Sequence, residues 1–193
     1  MQPKLKATKS LRGHESVEVL EALLKRHPQL AAEVEQLAQK VLGAVSFEEV
    51  ADDVADALKD IDDIDNLNSR AGSTGDGYVE PSEAACEICE EALEPFLEDL
   101  KRRLKIQDRS GAGVVCQGIV LGLYQVKSAA GGVIEWAGED WLCDEAGQAI
   151  DLVFGKEHKL GRSPGNQDRV VFPESFLEMV PKWASWIRKE VRQ

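Results

Sequence analysis

No apolar run in the 193-residue sequence approaches the roughly 20 residues that a membrane-spanning helix requires. Histidine occurs three times, at His14, His27 and His158. These positions are far apart and sit at expected helix ends or in loops, so surface or capping roles are expected and no Ser-His-Asp or Cys-His arrangement is indicated. Four cysteines in a chain of this length do not make a disulfide framework. Positive charge is the minority: 23 Lys and Arg face 35 Asp and Glu, for a net charge of −12. That balance excludes a bulk nucleic-acid binder, which needs a positive field, and disfavours anionic membrane surfaces. The opening MQPKLKATKS is basic but lacks the apolar segment of a secretory signal. A cytoplasmic protein with a loose basic arm over residues 1–13 is expected.

What remains is ordinary for a globular chain, 43% hydrophobic and 30% charged, which argues against wholesale disorder. The length suits one domain over residues 14–193, with a possible subdivision into 14–67 and 80–193 at a glycine-rich loop. The organising stretch is Pro81 to Lys127. Pro81 suits a first helical position, and Ala85, Ile88, Ala92, Phe96, Leu97, Leu100 and Leu104 recur at the spacing of one buried helical face. Acidic residues crowd the start of this helix and Lys101, Arg102, Arg103 and Lys105 its end, matching the helix dipole. Pro95 predicts a kink or two helices in series. The partner segment, GAGVVCQGIVLGLYQV, is rich enough in Val, Ile and Gly for a buried strand. Its length favours a helix, and Gln117, Gly118, Gly122 and Gln125 share a narrow sector where another helix can approach closely.

Around this pair the sequence predicts further helices. One spans about Glu15 to Arg26, with Val17, Leu20, Leu23 and Leu24 on one face, and His27-Pro28 ends it. The next, Pro28 to Leu42, is expected to bury Leu30, Val34, Leu37, Ala38 and Val41, with Gly43 as C-cap. Ser46-Phe47-Glu48-Glu49 is a capping box that starts a third, with a stripe of Val50, Val54, Ala57, Leu58 and Ile61. Residues Asn66 to Val79 are expected to be a loop. A helix begins around Glu139, with Leu142, Ala146, Ala149, Ile150 and Val153 on one face. A second loop, GKEHKLGRSPGNQDR, follows, and a last helix opens at Pro173 with Phe176, Leu177, Val180, Trp183 and Ile187 inward. About seven helices in antiparallel hairpins define an all-α fold, a bundle or a short helical array.

Each chemical constellation competes with a plainer reading. Cys86-Glu87-Ile88-Cys89 is a C-x-x-C, but it lies more than a turn inside a helix among Glu83, Glu87 and Glu90, whose charges raise a thiol pKa. Buried inert cysteines are expected, ahead of zinc or redox chemistry. The acidic run from Glu48 to Asp65 lacks the offsets of an EF-hand and is expected to be a solvated helix face. Gly111-Ala-Gly113 lacks the rest of a dinucleotide fingerprint, and no lysine follows Gly72-Ser-Thr-Gly75-Asp-Gly77, so no cofactor is indicated. The basic turn Lys101, Arg102, Arg103, Lys105 and Arg109 is expected to serve capping or internal pairing before a phosphate or acidic partner.

Two resemblances add to this. Glu90-Glu91-Ala92-Leu93-Glu94 resembles the first half of the E-E-x-x-E motif of all-α nucleotide pyrophosphatases of the MazG type, which implies a magnesium site at Glu90, Glu91 and Glu94; the E-x-x-D of that family's later helix is missing here. The segment GYVEPSEAACEICEEALEPFLEDLKRRL, with the glycine-rich helix ending in GLYQV, is similar to bacterial all-helical proteins without an assigned activity, loosely over residues 20–127. That likeness implies a style of fold and no catalytic residue. The expected function is therefore a protein-interaction or scaffolding module, engaging a protein partner or itself, with neither nucleic acid nor membrane. The alternative is the magnesium-dependent pyrophosphatase-like enzyme. Four tryptophans fall late in the chain. Trp186, off the main apolar face of its helix, and Arg102 and Arg103 are the interface candidates. Low-ranking metal candidates are Glu90, Glu91, Glu94, Cys86 and Cys89.

Overall fold

The computed structural model describes residues 11–43, 45–61, 64–74, 77–127, 131–160 and 172–191. The fold is all-α. Among the described residues nine α-helices occur, with one 3-10 turn and one two-stranded hairpin. The chain divides into two compact units, one ending at Ala44 and the other beginning at Val45. The division falls ahead of the third helix rather than at the glycine-rich loop.

The first unit holds α1 (Gly13–Arg26) and α2 (Ala31–Leu42), joined by a 3-10 turn at Pro28–Leu30. Arg12 and Glu15 close the start of α1, with the Arg12 amide donating to Glu15 Oε2 at 2.7 Å. His27 leaves the helical region ahead of the proline. Each helix makes its contacts chiefly with the connecting turn. The expected burial of their apolar faces does not occur: Val17, Val19, Leu20, Leu23, Leu37 and Val41 are between 39% and 74% exposed, and no described residue of 13–42 is buried. Periodicity fixes which side of a helix is apolar; it does not supply the surface that covers it.

The second unit is built on α6 (Arg109–Val126), where Val115 through Leu123 are all buried. It packs on α3 (Phe47–Lys59), α5 (Pro81–Lys105) and α7 (Val133–Leu160), and its pairing with α3 is the most extensive in the unit. The capping box of α3 is formed: Glu49 N–H donates to Ser46 Oγ at 3.1 Å and Ser46 N–H to Glu49 Oε2 at 3.2 Å. Glycine sets the α3–α6 spacing. A Cβ on Gly122 would stand 2.7 Å from the Ala51 carbonyl oxygen, and one on Gly118 would stand 3.0 Å from that of Phe47. The small-residue face expected of this segment is thus the face α3 occupies.

Several boundaries differ from the sequence reading. The expected loop at 66–79 contains α4 (Ile64–Arg70) and a hairpin of β1 (Gly72–Thr74) with β2 (Gly77–Val79), register Ser73 opposite Tyr78. Buried Leu67 anchors α4, and Arg70 ties it to α5. α5 runs through Pro95 as one helix. α7 starts at Val133, six residues before the expected position, but breaks at Gly138 (φ 80°, ψ 171°), so a fresh helix does follow Gly138. The last helix is two, α8 (Glu174–Met179) and α9 (Pro181–Glu190), separated at Val180 because Pro181 excludes its predecessor from the α region. All five residues expected inward there are buried. Residues 161–169 of the second expected loop lie outside the described residues.

Candidate functional site

The two proposed chemical clusters both lie on α5. Glu91 is exposed and held in a bidentate pair by Arg70, Nη1 to Oε1 and Nη2 to Oε2 each 2.8 Å, with Glu87 3.9 Å from the same guanidinium. Hydrogen bonding from Arg70 holds the Glu91 carboxyl below the usual range. Arg70 also donates from Nε to Asn66 Oδ1 at 3.0 Å, so this fork fastens α4 to α5. Glu90 and Glu94 are exposed on the same helix. Among the described residues no group of three or more His, Cys, Asp or Glu is placed to hold a metal ion.

The C-x-x-C pair points into protein. Cys89 is buried and Cys86 half-buried, both as free thiols, with Cys86 Sγ 3.9 Å from the Ala137 carbonyl oxygen. Burial pushes the Cys86 thiol up, and Glu90 and Glu145 push it further. Burial, then Cys86 and Glu90, raise Cys89 to about 12. A thiolate is the nucleophile and the metal ligand, so these thiols are poorly suited to either role at neutral pH. Cys116, buried and 3.5 Å from the Ala149 carbonyl oxygen, is raised by burial alone.

The basic turn is resolved into separate jobs. Arg103 is 3% exposed and bridges Asp99 (Nε to Oδ2, 2.8 Å) and Asp108 (Nη1 to Oδ2, 2.9 Å). Asp108 in turn caps α6, accepting from Gly111 N–H at 2.9 Å. The end of α5 closes as a Schellman motif, with Asp108 N–H donating to the Arg103 carbonyl at 2.9 Å and Gln107 N–H to that of Leu104 at 3.2 Å. Gln107 occupies the left-handed position at φ 63° where glycine is usual. Arg102 remains exposed and pairs with Asp99, Nε to Oδ1 2.9 Å. The internal pairing expected of this turn therefore exists, with Asp99 and Asp108 as partners of Arg102 and Arg103. Burial raises the Asp99 carboxyl and the two guanidiniums more than reverse that, leaving it low.

Trp186 is half-buried, stacked edge-on to Trp183 with centroids 6.4 Å apart. A Cβ on Gly147 would meet its ring at 3.4 Å, so the indole lies along α7. Trp183 is buried between Tyr124 (5.2 Å, edge-on) and Trp186, with Lys127 Nζ 5.9 Å over its ring. Lys127 itself pairs with Glu139.

Three features went unread in the sequence. Glu145, 8% exposed, sits at the α5–α7 contact; burial raises its carboxyl, Glu90 and Asp144 raise it further, and Lys101 acts in the opposite sense. Nothing in its spacing separates it from the solvated acids beside it. Trp136, near the Gly138 break, is 54% exposed. The third is the bare apolar face of 13–42, whose residues were legible and whose exposure was not.

The architecture defines the chain as an all-α protein whose second unit is a helical assembly around a buried glycine-bearing helix. Comparison with protein-family models, curated proteins and solved structures yields no match. No helix among the described residues is long and apolar enough to cross a membrane.

Proposed function

We propose that this chain is a cytoplasmic protein-interaction module whose contact element is the helix pair of residues 13–42. The observation that carries the reading is the exposure of much of an apolar face: Val17, Val19, Leu20, Leu23, Leu37 and Val41 stand open, and Leu24, Leu30 and Val34 are only half-buried, on helices that bury none of their described residues. Helices this short are marginal in water without a surface to pack on, and a contiguous exposed apolar face is a feature of interaction sites. The acidic surface, at net charge −12, suits a protein partner better than a polyanion. Trp186 and Arg103 support contacts inside the second unit, so the contact element shifts from those interface candidates to the first unit.

A photo-crosslinking amino acid at Val41 tests this in cells. A discrete adduct of defined mass is expected there and not from the same probe at Glu48, which is exposed on the capped start of α3. Equal, diffuse labelling from both positions would contradict the reading.

A further inference from the structure

An ionisable side chain lies closed in the α5–α7 contact with nothing to satisfy it. Glu145 is 8% exposed and, among the described residues, accepts no hydrogen bond and makes no ion pair. Trp141 and Ala149, one turn to either side of it on α7, are buried. From α5, Cys86, Glu90 and Lys101 lie near enough to act on its charge or to feel it, and on α7 Asp144 adds a further negative charge. α6 also packs on α7 but brings no charged side chain between Ser110 and Val126. Its titratable groups, Cys116 and Tyr124, are turned to the Ala149 carbonyl oxygen at 3.5 Å and to the Trp183 ring. α9 meets α7 through Trp186 beside Gly147. Lys101 alone among these groups opposes the negative charge. The axis of α7 is already interrupted at Gly138 (φ 80°), between the Ala137 carbonyl that Cys86 touches and the turns that carry Glu145.

We propose that the α5–α7 contact is a proton-operated joint: α7 from Glu139 onward seats on α5 while Glu145 is protonated, and loosens from it when Glu145 is ionised, uncovering Cys86 and Cys89. A neutral carboxyl is tolerated in a packed contact, whereas a carboxylate there loses its hydration and meets the charge of Glu90 across the contact. Loosening lets water reach both acids and relieves the two penalties together. Burial, Glu90 and Asp144 raise the Glu145 carboxyl, so the closed joint is favoured below that raised value and loses its advantage as pH rises through it. The joint lies within the second unit and owes nothing to residues 13–42.

Alkylation of the full chain by iodoacetamide at one pH of about 8, read residue by residue by mass spectrometry, tests this. Native wild type is expected to label slowly at Cys86, and Glu145→Gln a few-fold more slowly still, because its joint stays shut. Charge alone acts in the opposite sense. Glu145 and Glu90 both raise the Cys86 thiol, so deleting either carboxylate without a change in access speeds the reaction. Glu90→Gln, at an exposed position on α5, is expected to slow labelling as Glu145→Gln does. Hydrogen exchange over residues 140–150, corrected for its intrinsic pH dependence, gives a second reading. Protection there is expected to fall a few-fold in wild type between about pH 4 and about pH 7, and to stay level in Glu145→Gln. Labelling that is faster or unchanged in the two variants overturns the joint, as does protection with the same pH dependence in wild type and Glu145→Gln.

Discussion

Gly122 lies so close to α3 that a methyl group on it would stand 2.7 Å from the carbonyl oxygen of Ala51 and 2.7 Å from Val54 Cβ. A real Cβ does not tolerate backbone at that distance, so Gly122→Ala has to push the two central helices apart. Overpacking of this kind costs about 1–3 kcal/mol, partly offset by alanine's helix preference of about 1 kcal/mol. A net loss of up to about 2 kcal/mol in urea unfolding is the expected result. Gly118→Ala is expected to behave alike, since its Cβ would meet Val50 Cγ1 at 2.5 Å. Gly13→Ala, where the added carbon meets nothing within 4 Å, should change stability by less than about 0.5 kcal/mol.

The α5–α6 corner offers a pair of opposite effects. Arg103→Met leaves Asp99 and Asp108 without their shared partner and is expected to destabilise by about 3 kcal/mol, the scale of breaking a buried ion pair. Because Arg103 and Arg102 hold the Asp99 carboxyl low, their contribution is complete above the ordinary carboxylate range and fades as pH falls through Asp99's lowered folded-state value. The penalty of Arg103→Met should therefore shrink toward strongly acid pH. Gln107→Gly, at φ 63°, should stabilise by about 0.5–1 kcal/mol by removing left-handed strain. Both are read from chemical unfolding across pH.

Glu145 has the opposite linkage. Burial, Glu90 and Asp144 raise its carboxyl, so the folded protein prefers it protonated. Its ionisation weighs against folding at neutral pH, and that burden lifts as pH falls through the raised value and is gone below the ordinary range. Glu145→Gln is expected to stabilise at pH 7 to 8 by up to about 1 kcal/mol and to match wild type at pH 3 to 4. A stability gain that does not depend on pH would contradict this assignment.

The four thiols should be slow. Cys89 and Cys116 are buried, and all four sulfhydryls are raised, each chiefly by burial. Ellman's reagent at pH 7.5 is expected to find them largely unreactive in native protein and to count four after denaturation. A fast-reacting native thiol at Cys86 would reopen the C-x-x-C to redox chemistry.

Local signals in the sequence were sound where physics is local. The Ser46 capping box, the proline at the start of α5 and the Gly118–Gly122 face each rest on geometry within a turn or two, and each is present in the fold. Boundaries that depend on distant contacts were less legible. Residues 66–79 carry Gly, Ser and Asn like a loop, yet Leu67 burial and the Arg70–Glu91 fork organise them into a helix and hairpin. Arg103 illustrates the same limit for sites: among five clustered basic residues nothing in the sequence marks the one that turns inward to Asp99 and Asp108. The apolar stripes of α1 and α2 were read correctly as stripes, but periodicity is the same whether a face meets its own core or another molecule.

The central claim is that the apolar side of 13–42 has no cover within its own unit. Hydrogen exchange followed by mass spectrometry on the full chain measures this most directly. The account predicts that α6 amides exchange slowly while those of 13–42 exchange within seconds. Protection of 13–42 as strong as that of α6 would contradict it.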